Sequence, residues 1–111
     1  MNWNAKSRIA QEIVTEASTL ALEHFDNISS LQIEQKGHQD FVSQADKEVE
    51  AFIREKLDLH FPDDGIVGEE DKRKPSKSGF TWVIDPIDGT ANFIKGIPAW
   101  VVVVAGVYED K

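Results

Sequence analysis

The sequence predicts an α/β fold in which two N-terminal helices pack on a sheet. Three observations point there. Apolar residues before Phe61 fall in helical stripes, the segments after Gly65 are short and strand-like, and the strongest of these, Trp100–Tyr108, is apolar on both faces. A strand of that kind needs cover on two sides. The chain has 111 residues, enough for one small domain. Almost nothing follows the last strand to supply its cover, so the domain is expected to be incomplete.

From Trp3 to Phe25, residues Ile9, Ile13, Val14, Ala17, Leu20 and Ala21 form one helical face with polar residues opposite. From Ile28 to Gly37 the pattern is less regular; Leu31, Ile33 and Gln35 alternate, which allows a strand ending at Gly37. A second helix is expected near Ser43, which can cap it, with Asp46 in its first turn and Val49, Phe52, Ile53 and Leu57 on its buried face. Pro62 in "FPDDG" cannot continue that helix, and Gly65 suits a turn. Ile66-Val67 reads as a short strand leading into Gly68-Glu69-Glu70-Asp71, and "KRKPSKSG" as a loop. Phe80–Ile84 reads as a buried strand, Asp85–Thr90 as a turn, and Ala91–Lys95 as one helical turn broken by Gly96 and Pro98. There is no internal repeat and no low-complexity tract.

An apolar fraction of 41% with several buriable faces excludes disorder of the whole chain. A formal net charge of −8 argues against nucleic acid and against an anionic membrane as partners, since both reward a basic face. It suits a site that holds cations. The absence of cysteine excludes disulfides, zinc–thiolate sites and thiol nucleophiles. The apolar runs are too short to span a bilayer and no signal-like segment opens the chain, so a cytoplasmic location is expected.

Three acidic groups stand out, and each has a plain explanation. Asp46 suits a helix start, Glu69-Glu70-Asp71 a solvated loop, and Asp85-Pro86 and Asp88-Gly89 are common turn dipeptides. Together they say more. Glu69 and Asp85 each follow a short apolar strand, so neighbouring strands would bring them to one sheet edge. Clustered carboxylates resist burial unless paired, and no Lys or Arg adjoins Asp85 or Asp88 in sequence. A hard divalent cation, magnesium or calcium, is the natural partner for carboxylate and carbonyl oxygen. Pro86 stiffens the loop and leaves the carbonyl of Ile87 free between the acids. Gly89 lets a ligand approach the backbone, and the amides of Gly89 and Thr90 at a helix start suit an anion. Metal beside a phosphate-accepting backbone suggests phosphoryl chemistry.

"WVIDPIDGTANF" resembles the D-P-(I/L)-D-G-(S/T)-x-x-(F/Y) signature of the inositol monophosphatase family, lithium-sensitive and magnesium-dependent phosphatases. "KGHQDFVSQAD", "GIVGEE" and "GIPAWVVVVAGV" resemble its other segments in the same order. The resemblance implies a layered αβαβα-type sandwich with a mixed sheet, of which residues 1–111 are the N-terminal part and the C-terminal half is absent. It implies that Glu69, Asp85 and the carbonyl of Ile87 hold a first magnesium, that Asp85 and Asp88 share a second, and that Glu70 holds a water on the metal, at a third site. Thr90 with Asp46 orients the attacking water, and the amides of Gly89 and Thr90 bind phosphate. The expected substrate is a small phosphate ester such as myo-inositol monophosphate; histidinol phosphate, fructose 1,6-bisphosphate and a nucleotide bisphosphate are the alternatives. "ANF" after Thr90 favours the inositol type over the nucleotidase type. A homodimer is implied for the full-length protein. The family's later aspartate, in a W-D-x-A-A-G-type segment, has no counterpart here, which leaves an inactive cation-binding or regulatory fragment as the other reading.

Overall fold

Four-residue spacing governs both long helices. In the computed structural model, which describes residues 2–31 and 35–108, α1 spans Trp3–Leu31 and α2 spans Gln35–His60. Among the described residues, Ile13, Ala17, Ala21 and Phe25 are buried on α1, and Ala45, Val49, Ile53 and Leu57 on α2. Side chains four apart lie one above the other on a helix, so each set forms one ridge. Alanines at 17, 21 and 45 let the helices approach closely. Burial of a side chain the size of Ile53 or Leu57 is worth about 1.5–3 kcal/mol.

Three strands follow. β1 spans Gly65–Val67, β2 Phe80–Asp88 and β3 Val101–Tyr108, with the short helix α3, Thr90–Ile94, before β3. The sheet order is β1-β2-β3; β1 runs parallel to β2, and β3 antiparallel. The sheet is therefore mixed, as expected. Phe80, Trp82 and Ile84 alternate onto the helical side and join the core formed with Ile13, Ala17, Ala21, Val49, Ile53, Leu57 and Ile66. A smaller cluster of Phe25, Ala45, Ile87 and Phe93, with Trp100 against it, closes the end where α3 sits.

The other face of the sheet is open. Val83, Val103 and Val107 are 39%, 37% and 46% exposed, although valine alternation marks them for burial. The expectation that β3 wants cover on both faces fits this surface: Val102 and Val104 lean on the core while their neighbours face outward.

Asp64, 3% exposed, ties the layers together. It accepts hydrogen bonds from the Ser78 hydroxyl at 2.6 Å and the Trp82 indole N–H at 2.9 Å, and it pairs with Lys6 of α1. The Lys6 ammonium also lies over the rings of Phe61 and Phe80, at 4.2 and 4.4 Å from their centroids.

Three local expectations are corrected. The second helix starts at Gln35, not near Ser43, so Ser43 is no cap and Asp46 lies well inside the helix. The spacing of Phe41, Ala45 and Val49 continues the four-residue repeat backward, and extending a helix adds one hydrogen bond per residue fixed. The strand allowed over Leu31–Gly37 is helical at Leu31 and at Gln35–Gly37, while Ile33 lies outside the described residues. Finally, Asp85–Asp88 belongs to β2 rather than to a turn. Among the described residues, no helix is long and apolar enough to cross a membrane.

Candidate functional site

Asp85 and Asp88 point to the same side of β2 because the strand is bulged between them. In an unbroken strand, residues three apart face opposite ways. Here Asp85 stands opposite Val103 and Asp88 opposite Val101, so β2 carries one residue more than β3 across this interval. Positions 101 and 103 share a face of β3, and so do the acids opposite them. Pro86 and Ile87 are both buried, as the broken alternation requires. A bulge is also where a strand tolerates proline, which has no N–H to donate. The carboxylate of Asp85 accepts the N–H of Ile87, and the carbonyl of Ile87 accepts the Thr90 hydroxyl at 3.0 Å.

Gly89 turns the chain from β2 into α3 with φ 92° and ψ 36°, in the left-handed region. A Cβ there would come within 2.9 Å of the Ala99 carbonyl oxygen. That same oxygen accepts the side-chain amide of Asn92 at 2.9 Å, which fastens α3 to the approach to β3. Gly89 and Thr90 thus sit at a fixed bend directly after the two acids.

Glu69 and Glu70 arrive from β1. Val67 is in register with Val83, so Glu69 and Asp85, each two residues further on, follow the same level of the parallel strands. This is the juxtaposition expected from the strand ends. Asp46 comes to that edge from α2. Its carboxyl is pushed up to about 7, first by burial and then by the charges of Glu70, Glu69, Asp85 and Glu50. Glu69 is raised by loss of solvent, then by Asp85, Glu70, Glu50 and Asp88. Asp85 is raised by burial and then by Asp88, with the Ile87 N–H pulling the other way. Acids that raise one another in this way share one electrostatic neighbourhood.

Asp46, Glu69, Glu70 and Asp85, from three separate stretches of chain, thus share one electrostatic neighbourhood, and Asp88 acts on Glu69 and Asp85 within it. Among the described residues, the ion pairs are Lys6–Asp64, His24–Glu48, Arg54–Glu50 and Lys74–Asp58, none of which includes these five. No three of the described acids or histidines already enclose a single point as metal ligands. The donors still fit a hard divalent ion in kind. They are carboxylate oxygens with a backbone carbonyl among them, and their repulsion is what a cation relieves. The acids stand at an open edge. A cavity of about 550 Å³ lies elsewhere, between α1 and the Trp82–Val104 side of the sheet.

Two residues that sequence reasoning passed over adjoin the site. Glu50 is 1% exposed, and its carboxylate accepts the backbone N–H groups of Glu69, Glu70 and Asp71. Arg54 pairs with it at 3.0 Å. The signal was present: Glu50 sits beside Val49 in the buried stripe, one helical turn from Asp46, with an arginine one turn further on.

The sequence model of the inositol monophosphatase family matches residues 4–111. A histidinol-phosphatase of Chlorobaculum parvum is 42% identical over 98 residues, covering 88% of this chain and 38% of the relative. An inositol-1-monophosphatase of Rhizobium meliloti is 37% identical over 106 residues, covering 95% of this chain and 40% of the relative. The crystal structure of the extragenic suppressor protein suhB from Bartonella henselae superposes with a TM-score of 0.81 at 30% identity, over 96% of this chain and 42% of that one. The chain thus spans about two fifths of the length of these relatives.

Proposed function

Because the chain belongs to the inositol monophosphatase family, we propose that residues 1–111 are the N-terminal part of one such domain and supply most of the metal-holding groups of a magnesium-dependent phosphomonoesterase. One observation carries the reading. Carboxylates from α2, the segment after β1 and the β2 bulge raise one another's pKa values, and none of the five is in an ion pair among the described residues.

In this reading Glu69, Asp85 and the carbonyl of Ile87 hold one magnesium ion, and Asp85 and Asp88 share a second. Glu70 faces the water side, where a third ion can bind. Bound magnesium supplies a more acidic water and stabilises charge on the leaving oxygen. The chain's own residues do the rest. The Thr90 hydroxyl donates its hydrogen to Ile87, which turns its lone pairs outward to accept a hydrogen bond from the attacking water. Asp46 accepts the second hydrogen of that water. The amides of Gly89 and Thr90, held at the bend by the Asn92 link, meet the phosphate oxygens.

The substrate class is a small phosphate ester such as myo-inositol monophosphate. Histidinol phosphate is the second reading, favoured by the 42% identity to the Chlorobaculum parvum protein of that name. Such substrates call for a cytoplasmic enzyme with no nucleic acid or membrane partner, and the full-length protein is taken as a homodimer. Phosphate release by the full-length protein from a panel of inositol, histidinol, sugar and nucleotide phosphates, with and without magnesium, tests the proposal. Turnover of one ester that vanishes with chelator supports it. No turnover of any ester at saturating magnesium refutes it.

A further inference from the structure

We propose that Glu50, together with Arg54, is a positioning pair that sets the backbone of Glu69–Asp71 so that the Glu69 and Glu70 carboxylates meet magnesium at the site described above. The inference rests on that functional reading.

Its warrant is where the hydrogen bonds go. A carboxylate that is 1% exposed is costly to bury unless its oxygens are satisfied. Glu50 spends its oxygens on one short segment, accepting N–H groups from Glu69 at 2.8 Å, Glu70 at 3.2 Å and Asp71 at 3.1 Å. Arg54 neutralises it through Nε at 3.0 Å and donates its other nitrogens to the carbonyls of Lys72 at 2.9 Å and Asp71 at 3.2 Å. Donors and acceptors of the same loop are thus gripped from two adjacent turns of α2. A Cβ on Gly68 would lie 2.5 Å from the Glu50 carboxylate, so the loop closes on Glu50 only with glycine there.

A buried ion pair is poor evidence for stability, since well-packed apolar residues often do as well. What it fixes is geometry. Asp46, Glu50 and Arg54 are spaced four apart on one helix, so they share a face. The helix that carries Asp46 into the site therefore also sets the height and orientation of the loop bearing Glu69 and Glu70. Both of those side chains are exposed. A cavity of about 230 Å³ lined by Lys47, Glu50, Ala51, Arg54, Glu70 and Asp71 leaves the loop room to shift if the grip is lost.

The test uses the full-length protein and two variants. Glu50→Gln keeps the size but turns an N–H donor toward the loop's donors. Its magnesium affinity, by isothermal titration calorimetry, should fall about 10–100-fold, as for other residues that orient metal ligands. At saturating magnesium, kcat should recover and the KM for substrate should hold. Hydrogen exchange at the amides of Glu69–Asp71 should quicken even without metal. Arg54→Lys keeps the charge but loses the two carbonyl contacts, and should shift magnesium affinity the same way by less; it carries the test if Glu50→Gln does not fold. A folded variant with wild-type magnesium affinity overturns the proposal, and so does one that only melts earlier while loop exchange is unchanged. Magnesium binding by the wild type tests the functional reading by itself; the difference between wild type and variants tests the pair.

Discussion

Asp46→Asn should stabilise the metal-free protein while impairing the enzyme, and the size of the gain follows from the site. The Asp46 carboxyl stands at about 7 against an ordinary 3.8, because it is partly buried and faces Glu70, Glu69, Asp85 and Glu50. Between those values the folded protein keeps a proton that the unfolded chain has released. Stability therefore falls as pH rises through this window, and the loss is complete above about pH 7. About three pH units at 1.36 kcal/mol each make a cost of about 4 kcal/mol at most. Asparagine keeps the shape and carries no charge, so the variant avoids that cost. Urea unfolding of the full-length protein in chelator, at intervals from pH 5 to 8.5, measures it. The variant should gain less than half as much at pH 5 as at pH 8. Glu69 and Asp85 are raised as well, so it should retain a shallower slope of the same sign. Excess magnesium should flatten the wild-type slope. Parallel pH profiles for the two proteins would refute the electrostatic account of the site.

Asp85→Asn removes the charge assigned to both metal positions, so turnover and magnesium binding should be lost together; Thr90→Ala removes no metal ligand, so kcat should fall about 10²–10⁴-fold with metal affinity kept, as phosphate release and magnesium titration will show. Lys6→Met leaves the Asp64 carboxylate buried without its cation and should cost about 3–5 kcal/mol in chemical denaturation, much of it restored by adding Asp64→Asn. Residues 1–111 expressed alone should self-associate through the open valine face, and Val107→Lys should reduce that association in sedimentation velocity; a concentration-independent monomer would count against it.

Much of the architecture could be read from local pattern. The helical stripes, the short β1, the loop of Lys72–Gly79 and the β-branched β3 each follow from period and punctuation, and they stand where those signals put them. Glu69 and Asp85 stood out because each follows a short apolar strand, although every group of acids also has a plain explanation. The misread places depend on partners distant in sequence. Asp-Pro and Asp-Gly look like a turn until β3 pairs across them, and only the pairing shows a bulge. The start of α2 was misjudged because Ser43 and Asp46 imitate a helix beginning, while the helix they lie in is already under way. Glu50 escaped notice because a glutamate is seldom fully buried, and nothing local shows that three loop amides converge on it.

The bulge in β2 also makes the spacing of its two aspartates a matter of parity. Three is an odd interval, and a pleated strand sends odd intervals to opposite sides. The extra residue resets the count, so that Asp85 and Asp88 open outward while Ile84 and Ile87 are both buried. A deletion of one residue here would restore strict alternation and leave the acids an even interval apart on a regular strand, but with no place for the proline and one core side chain fewer. An insertion would leave the acids four apart, again an even interval, but with two residues more on β2 than β3 offers across the same span. Substitution at Pro86 or Ile87 is thus a question of fit, whereas a change in the number of residues between the acids alters how β2 pairs with β3 beneath them.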